Sequence, residues 1–262
     1  MFEVRNWPSK VILQIVVTLL AIPYLLPLVA MVQGSLAGQG WKNYQIVLGV
    51  PQIGSFFLNS TIISATTIAL VYVCTMTAAF GFSKLHIRGK EAFFWMMLVA
   101  LTLPEVVLLT PLFVTALRVG LYGTLWSVAI PLAALQVPFT VLITRNFVNG
   151  IPDDLFEAAR VDGANIVTIF WRIILPLTRP IAAAIVILTL ITSWNDYLLP
   201  LVFLPNPGVQ TITLIPTFFV GQFSDDQTKV LAAAVITALP EVIAYLALQR
   251  VFERGLAAGV LK

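Results

Sequence analysis

The residues that could do chemistry in this sequence are few, and their spacing excludes most kinds of enzymatic site. The chain holds one histidine, His86, and one cysteine, Cys74. It contains no H-E-x-x-H or G-x-S-x-G pattern and no Cys/His cluster, so nothing indicates a metal centre or an activated nucleophile. It also lacks the glycine-rich G-x-x-x-x-G-K-[S/T] loop that holds nucleotide phosphates. We therefore expect no catalytic residue, metal or cofactor in this chain, and any ATP and Mg²⁺ must be bound by another subunit.

Three carboxylates, Glu105, Asp196 and Glu241, fall inside long apolar stretches. A charge at membrane depth costs about 3 kcal/mol on insertion scales, so such a group either lines a transport pathway or pairs with an opposite charge. Both interpretations stay open at this point. The three acids are therefore candidate residues of a translocation pathway.

Asp196 belongs to a run of aromatic and polar residues, Trp194-Asn195-Asp196-Tyr197. Such side chains can stack on a sugar ring and hydrogen-bond its hydroxyl groups. The same residue types also anchor helix ends at the membrane interface. We add Trp194, Asn195 and Tyr197 to the candidate pathway, with interfacial anchoring as the alternative.

A polar run, EAARVDGANIVTIFWRIILP, extends from Glu157 to Pro176 in an otherwise apolar chain. It is preceded by Pro152-Asp153-Asp154, a combination typical of the start of a helix. The next two turns bring residues at spacings of three and four onto neighbouring positions, namely Leu155, Ala158, Ala159 and Asp162. This pattern predicts a helix with a small-residue face that another protein can approach closely.

Gly163 is predicted to end or bend this helix. Apolar residues then recur with helical spacing at Ile166, Ile169, Phe170, Ile173 and Ile174. They predict a second, amphipathic helix, which Pro176 would close. A helix-turn-helix in a polar loop, rather than an unstructured solvated loop, is the hypothesis that these signals favour.

The composition indicates what must surround these residues. Of the 262 residues, 59% are hydrophobic and only 10% are charged, and the mean hydropathy is +0.96. Soluble domains average roughly 45–50% apolar residues. The apolar stretches are long and uninterrupted, which predicts an all-α, polytopic membrane protein rather than an outer-membrane barrel.

Six windows are long enough to span a bilayer, and the charges between them predict their orientation. Twelve of the fifteen Lys and Arg residues lie on the side that holds both predicted termini. The positive-inside rule then places both termini and the polar run in the cytoplasm. We treat the chain as one transmembrane domain, 1–262, with a cytoplasmic loop at 149–180 and spans at 11–33, 53–82, 92–117, 125–148, 181–204 and 230–252.

At this point the polar run resembles the EAA loop of ABC-importer permeases. That loop reads E-A-A, three residues, G, nine residues, I-x-L-P, and this sequence matches every position from Glu157 to Pro176. Further marks resemble the carbohydrate-uptake branch, specifically the smaller permease of the maltose-importer type. They are Asn59-Ser60, Asp162-Gly163-Ala164, Trp194-Asn195-Asp196 before Leu199-Pro200-Leu201, and Arg254-Gly255-Leu256-Ala257-Ala258-Gly259.

The resemblance implies a type I ABC-importer permease fold and a coupling helix that docks in a cleft of an ATPase subunit. Glu157 would contact a basic group of the cleft, Ala158 and Ala159 would permit close seating, and Gly163 would make the turn after Asp162. It also implies a second permease subunit, forming a heterodimer, and a pair of ATPase subunits. A solute-binding protein would meet the outer loops, including residues 205–228. The setting would be a prokaryotic plasma membrane, without nucleic acid.

Two alternatives differ in substrate or energy source. Glu105 and Glu241 leave open an ABC importer of a non-sugar solute, such as a glycerophosphodiester. A secondary transporter would use Glu105, Asp196 and Glu241 as proton or cation sites, but it would leave the EAA pattern unexplained.

Overall fold

A computed structural model describes residues 7–221 and 226–260, and at 248 and 250–260 it describes the backbone alone. Arg5 and Lys262, two of the twelve basic residues counted on the predicted cytoplasmic side, therefore lie outside the described residues, as do the side chains of the mark at 254–259. The regular elements throughout the described ranges are helical, which confirms the all-α prediction. In chain order the α-helices are α1 Trp7–Ser35, α2 Lys42–Leu48, α3 Ile53–Lys84, α4 Lys90–Ala100, α5 Glu105–Arg118, α6 Trp126–Asn149, α7 Asp154–Val161, α8 Ile166–Ile169, α9 Leu175–Leu177, α10 Arg179–Asn195, α11 Leu198–Phe203 and α12 Gln227–Val260.

Shorter turns of other kinds complete these elements. A π-helical stretch, Phe170–Ile174, joins α8 to α9. The three pieces form one continuous helix over Ile166–Leu177. Two 3₁₀ segments, Pro207–Val209 and Ile212–Phe219, follow α11.

Within the described residues, four helices are long and apolar enough to cross a membrane: α1, α3, α6 and the Gln227–Ala247 part of α12. They coincide with four of the predicted spans. Two bent helix pairs raise the number to as many as six if each pair counts as one span. The chain is therefore a multi-pass helical membrane protein.

The predicted span at 92–117 is not one straight helix. It breaks between α4 and α5, whose axes bend by 103°. Pro104 cannot donate a backbone hydrogen bond, and it holds an extended conformation at φ −61° and ψ 137°. Turn bonds from Thr102 N to Val99 O (3.0 Å) and from Leu103 N to Ala100 O (3.2 Å) satisfy carbonyls that the break leaves open. The break places Glu105 at the start of a helix.

The predicted span at 181–204 is likewise divided. Helix α10 ends at Asn195 and α11 begins at Leu198, with Asp196 extended between them. The Asn195 side-chain amide donates to the Ile191 carbonyl at 3.0 Å, and the Thr213 hydroxyl donates to the Asp196 carbonyl at 2.8 Å. Side chains thus supply the bonds that the interrupted helix lacks, as non-helical backbone at membrane depth requires.

The residues separate into two compact units. The larger comprises Gln52–Leu214 and Pro240–Lys262, and its core lies where α3, α6 and α10 pack together. A buried hydroxyl pair, Thr75 and Thr140, joins α3 to α6 with 2.7 Å between oxygens. Small polar side chains of this kind let membrane helices approach closely and hydrogen-bond across the contact.

The other unit comprises Met1–Pro51 and Ile215–Leu239. Most apolar side chains of α1 are exposed, which suits a helix whose surroundings are hydrocarbon. The turn after α1 is held by the Asn43 amide, which donates to the Ser35 and Ala37 carbonyls at 2.9 Å each. The two hydrogen bonds from Asn43 therefore fix the end of α1.

Candidate functional site

The helix predicted after Pro152-Asp153-Asp154 is present and begins where expected. It is α7, with Asp154 and Glu157 in its first turn and Arg160 in its last. Acidic residues at the amino end and a basic residue at the carboxyl end both complement the helix dipole. The charge pattern that marked this segment in the sequence therefore also stabilises the helix.

Asp153 occupies the N-cap position of α7, but its side chain does not cap the helix. Its Oδ1 accepts a hydrogen bond from Lys84 Nζ at 2.6 Å instead. This hydrogen bond, with the charge of Lys84, lowers the pKa of Asp153 below its usual value. The carboxylate is ionised at neutral pH, and its contribution to stability is lost only in acid, as the pH falls through the lowered value.

The two faces of α7 differ in surroundings. Phe156 (5% exposed) and Ala159 (9% exposed) point inward, where they pack in a cluster with Phe80 of α3 and Val148 of α6. The outward face carries Leu155, Glu157, Ala158 and Val161. Successive helical residues point about 100° apart, so the two alanines differ in exposure, and their role in docking stays a prediction. Ala158 is exposed, whereas Ala159 lets α7 seat on its own chain.

The turn after α7 depends on Gly163. Its φ of +80° lies in the left-handed region, which side chains adopt at a cost and glycine adopts freely. The turn is closed by bonds from Gly163 N to Arg160 O (3.0 Å) and from Ala164 N to Ala159 O (2.9 Å). Gly163 therefore ends α7, as predicted.

Asn165 starts the next helix, a role that the sequence pattern did not single out. Its side-chain oxygen accepts a hydrogen bond from Thr168 N at 2.8 Å. Asparagine is one of the preferred N-cap residues, and its position between Gly163 and the apolar run is the signal that could have identified it.

The second helix ends within one residue of Pro176, where the sequence predicted it would close. The helix continues to Leu177 and then bends by 74° into α10. The wider π turn lies directly before Pro176, which lacks an amide for the α-helical ladder. The bend falls at buried Thr178, whose hydroxyl donates to the Ile174 carbonyl at 2.9 Å.

A cavity of about 280 Å³ opens between the carboxyl end of α3 and α7. Its polar wall includes Lys84, His86, Asp153, Glu157 and Arg160. Basic and acidic groups alternate there, so the cavity favours neither a free anion nor a free cation. It forms a charged border beside the exposed face of α7.

Two of the three predicted membrane acids lie close together, at the helix breaks. Glu105 starts α5, and its charge acts on Asp196 between α10 and α11. The Leu199 amide hydrogen-bonds to the Asp196 carboxyl group, but Asp196 Oδ2 and Glu105 Oε1 are buried with no partner among the described residues. Glu241, half-buried on α12, is not among the groups that act on Asp196.

The aromatic and polar run around Asp196 does not form a single exposed surface. Trp194 is buried (7% exposed), whereas Tyr197 is 39% exposed. The Asn195 amide is held by its own helix, at the Ile191 carbonyl. Of these three side chains, Tyr197 is the one with an open aromatic face.

Asn59 and Ser60, singled out only as a resemblance, hold the segment after α11. The Asn59 amide donates to the carbonyls of Gly208 (3.1 Å) and Gln210 (2.9 Å). The Ser60 hydroxyl accepts from Ile212 N at 2.9 Å. These bonds fix residues 208–212, which belong to the segment predicted to meet a solute-binding protein.

Comparison with known proteins agrees with this geometry. Residues 73–258 match the family described as binding-protein-dependent transport system inner membrane component. The probable ABC transporter permease protein YurM of Bacillus subtilis (strain 168) is 34% identical over 210 residues, 80% of this chain and 70% of its own length. The melibiose/raffinose/stachyose import permease protein MelC of the same organism is 33% identical over 212 residues, 80% of this chain and 76% of its own length.

A solved structure shares the fold. The bacterial ABC transporter involved in import of the acidic polysaccharide alginate includes a chain that matches with a TM-score of 0.77 and 21% identity, covering 95% of this chain and 99% of that chain. The match extends well beyond the residues of the EAA pattern. This chain is thus a member of the binding-protein-dependent inner-membrane permeases of ABC importers, in their carbohydrate-uptake branch.

Proposed function

We propose that this chain is a permease subunit that imports a sugar, or a sugar-like solute, by alternating access, driven through α7 by an ATPase. The observation that carries the proposal is the construction of α7. One face of this short helix is seated in the chain's own core, and the other presents Leu155, Ala158 and Val161. Val161 is 87% exposed, and an exposed apolar patch outside the membrane favours a protein contact.

The seat of α7 supports a mechanical role. Its apolar cluster joins side chains of α3, α6 and the helix after Gly163. A push on the outward face would therefore reach several helices at once. Rigid elements that move together around a central site are what alternating access requires.

The proposed topology has six spans with both termini in the cytoplasm. Four are the long helices, and the bent pairs α4–α5 and Ile166–Leu177 with α10 would supply the others. This arrangement puts α7 beside the ATPase, in a prokaryotic plasma membrane. The segment after α11 then lies on the outer side, where a solute-binding protein would deliver the substrate.

The partners follow from the family. ATP hydrolysis belongs to a separate subunit in ABC importers, so we propose two ATPase subunits that bind ATP and Mg²⁺. A second permease subunit would complete the pathway as a heterodimer. One solved relative is a bacterial alginate ABC transporter in complex with an alginate pentasaccharide-bound periplasmic protein, which supports a binding protein as the fourth partner.

The substrate is proposed to pass near Glu105, Asp196 and Tyr197. Two relatives are sugar permeases. MelC imports melibiose, raffinose and stachyose, and AraQ of Halalkalibacterium halodurans, 32% identical to this chain, transports arabinooligosaccharides. The unpartnered carboxyl oxygens of Glu105 and Asp196 favour a second candidate, a non-sugar solute such as a glycerophosphodiester with a cationic head. Binding of di- and oligosaccharides and glycerophosphodiesters to the cognate solute-binding protein distinguishes the two.

Crosslinking tests the docking face directly. In a Cys74→Ser background, Ala158→Cys is expected to crosslink to the ATPase subunit through a short reagent that is thiol-reactive at one end and photoactivated at the other, because Ala158 is exposed on α7. Ala159→Cys is the matched control, one residue along the same helix but turned inward. Equal crosslinking from both positions, or none from Ala158→Cys in an assembled complex, contradicts the proposed face.

A further inference from the structure

Lys84 lies in the last turn of α3, yet its side chain is only 8% exposed. A buried ammonium group needs partners that replace its water. Its Nζ donates to the Ile151 carbonyl at 2.7 Å and to Asp153 Oδ1 at 2.6 Å, and it lies 4.9 Å from the centre of the Phe156 ring. All three partners belong to α7 or to the link that leads into it.

These contacts connect α7 to a helix that the backbone does not reach. The chain itself ties α7 to α6 through a short link, Gly150 to Asp153, and ties its other end to α8 through Gly163. Among the described residues, side chains of α3 that reach α7 and the link into it include Phe80, in the apolar cluster, and Lys84. The Lys84 contact is therefore the polar part of the α3–α7 junction.

The two kinds of contact respond differently to force. Apolar surfaces such as Phe80 against Phe156 resist compression, but they are non-directional and can slide. Charge-assisted hydrogen bonds are directional and short, so they also resist separation along their axis. Lys84 makes one such bond to a carboxylate and another bond to a carbonyl.

We propose that Lys84 is a positioning residue that makes α3 follow α7 when the ATPase moves it. The inference rests on the proposed docking of α7. Without Lys84, the apolar cluster still seats α7 at rest, but α3 lags when α7 is displaced. Because α3 packs along α6, Lys84 would determine how much of the displacement of α7 is transmitted to the core of the larger unit.

The test measures the α3–α7 distance in the purified complex in nanodiscs. One spin label goes on native Cys74, which is exposed on α3, and the other on Asp154→Cys, exposed at the start of α7. Distances are recorded without nucleotide and after trapping with ATP and vanadate. With Lys84 present, we expect the same narrow distribution in both states. With Lys84→Met, we expect that distribution at rest and a shifted or broadened one after trapping.

Three variants control the result. Arg88→Met removes the same charge at an exposed position four residues later, in the link that follows α3, and is expected to match the unmodified protein. Lys84→Arg keeps the charge and donors and should restore most of the narrow distribution. Asp153→Asn weakens the ion pair and should broaden the trapped state alone, and adding it to Lys84→Met should have little further effect because both act through one contact.

The outcomes separate the inference from its premise. The inference is overturned if the Lys84→Met distances match those of the unmodified protein in both states. It is also overturned if the distribution broadens equally at rest and after trapping, because Lys84 would then only stabilise the resting structure. If Lys84→Met does not assemble, an unchanged trapped state in Asp153→Asn overturns it as well. An unmodified complex that binds no ATPase subunit refutes the proposed function instead.

Discussion

Gly163→Pro is expected to abolish ATP-driven import while leaving the chain inserted in the membrane. Proline fixes φ near −65°, but position 163 requires +80°. The substitution also removes the amide that donates to the Arg160 carbonyl at 3.0 Å. Helix α7 would then lose its end and its angle to the following helix, so displacement of α7 would not reach α10. Solute uptake by proteoliposomes, with insertion checked by protease accessibility, measures the effect.

Gly163→Asn is the matched control for this turn. Asparagine adopts the left-handed conformation more readily than other side chains, and the structure leaves open space where its Cβ would lie. We expect Gly163→Asn to keep most of the import rate. Normal import by Gly163→Pro, or equal loss in both variants, would show that the conformation of this turn does not govern coupling.

Glu157→Lys is expected to release the ATPase subunit. Glu157 is exposed in the first turn of α7, and the resemblance assigns it a basic partner in the ATPase cleft. Reversing the charge replaces attraction by repulsion and opposes the helix dipole. Loss of a close interfacial charge pair typically costs about 2 kcal/mol or more, so affinity for the ATPase should fall roughly 30-fold or more. Titration of purified ATPase subunits against the permease measures it.

Asp154→Lys separates the contact from the general effect of charge. Asp154 shares the first turn of α7 and is also exposed, so its reversal changes net charge and the dipole interaction by the same amount. We expect it to weaken ATPase binding far less than Glu157→Lys does. Comparable losses would mean that the cleft senses the overall charge of α7 and not a contact at Glu157.

The parts of the site that sequence patterns predicted are those fixed by local chemistry. The start of α7 follows from charge and turn residues in adjacent positions, and its end follows from the one residue type that adopts a positive φ freely. Four spans follow from apolar length alone. None of these features depends on which other helix is packed nearby.

The features that patterns missed depend on distant parts of the chain. Ala158 and Ala159 are chemically identical, and only the packing of Phe80 and Val148 determines which of them faces inward. The sequence pattern indicates that the Asp153 side chain caps α7, but its carboxylate instead accepts a hydrogen bond from Lys84, 69 residues earlier. The π turn at Phe170–Ile174 and the hydrogen bond from the Thr178 hydroxyl at the end of the second helix also had no signal in the helical periodicity.

The helix breaks show a mixed case. Pro104 gave a local signal that the span at 92–117 could bend, since the residue before proline is disfavoured in a helix. At Asp196 the local signal is Pro200, four residues later, which has no amide to bond the Asp196 carbonyl. The Thr213 hydroxyl, which donates to that carbonyl instead, could not be predicted from local sequence. The proximity of Glu105 to Asp196 follows from both breaks together, and no spacing in the sequence encodes it.

The source of energy tests the central claim most directly, since the account holds that an ATPase moves this chain through α7. The measurement is solute uptake by proteoliposomes that contain both permease subunits, the ATPase subunits and the solute-bound binding protein, with the solute chosen by the binding panel. The account predicts uptake that requires ATP and persists after a protonophore collapses the proton gradient. Uptake that proceeds without ATP and stops with the protonophore would contradict it, and would make Glu105, Asp196 and Glu241 the proton sites of a secondary transporter.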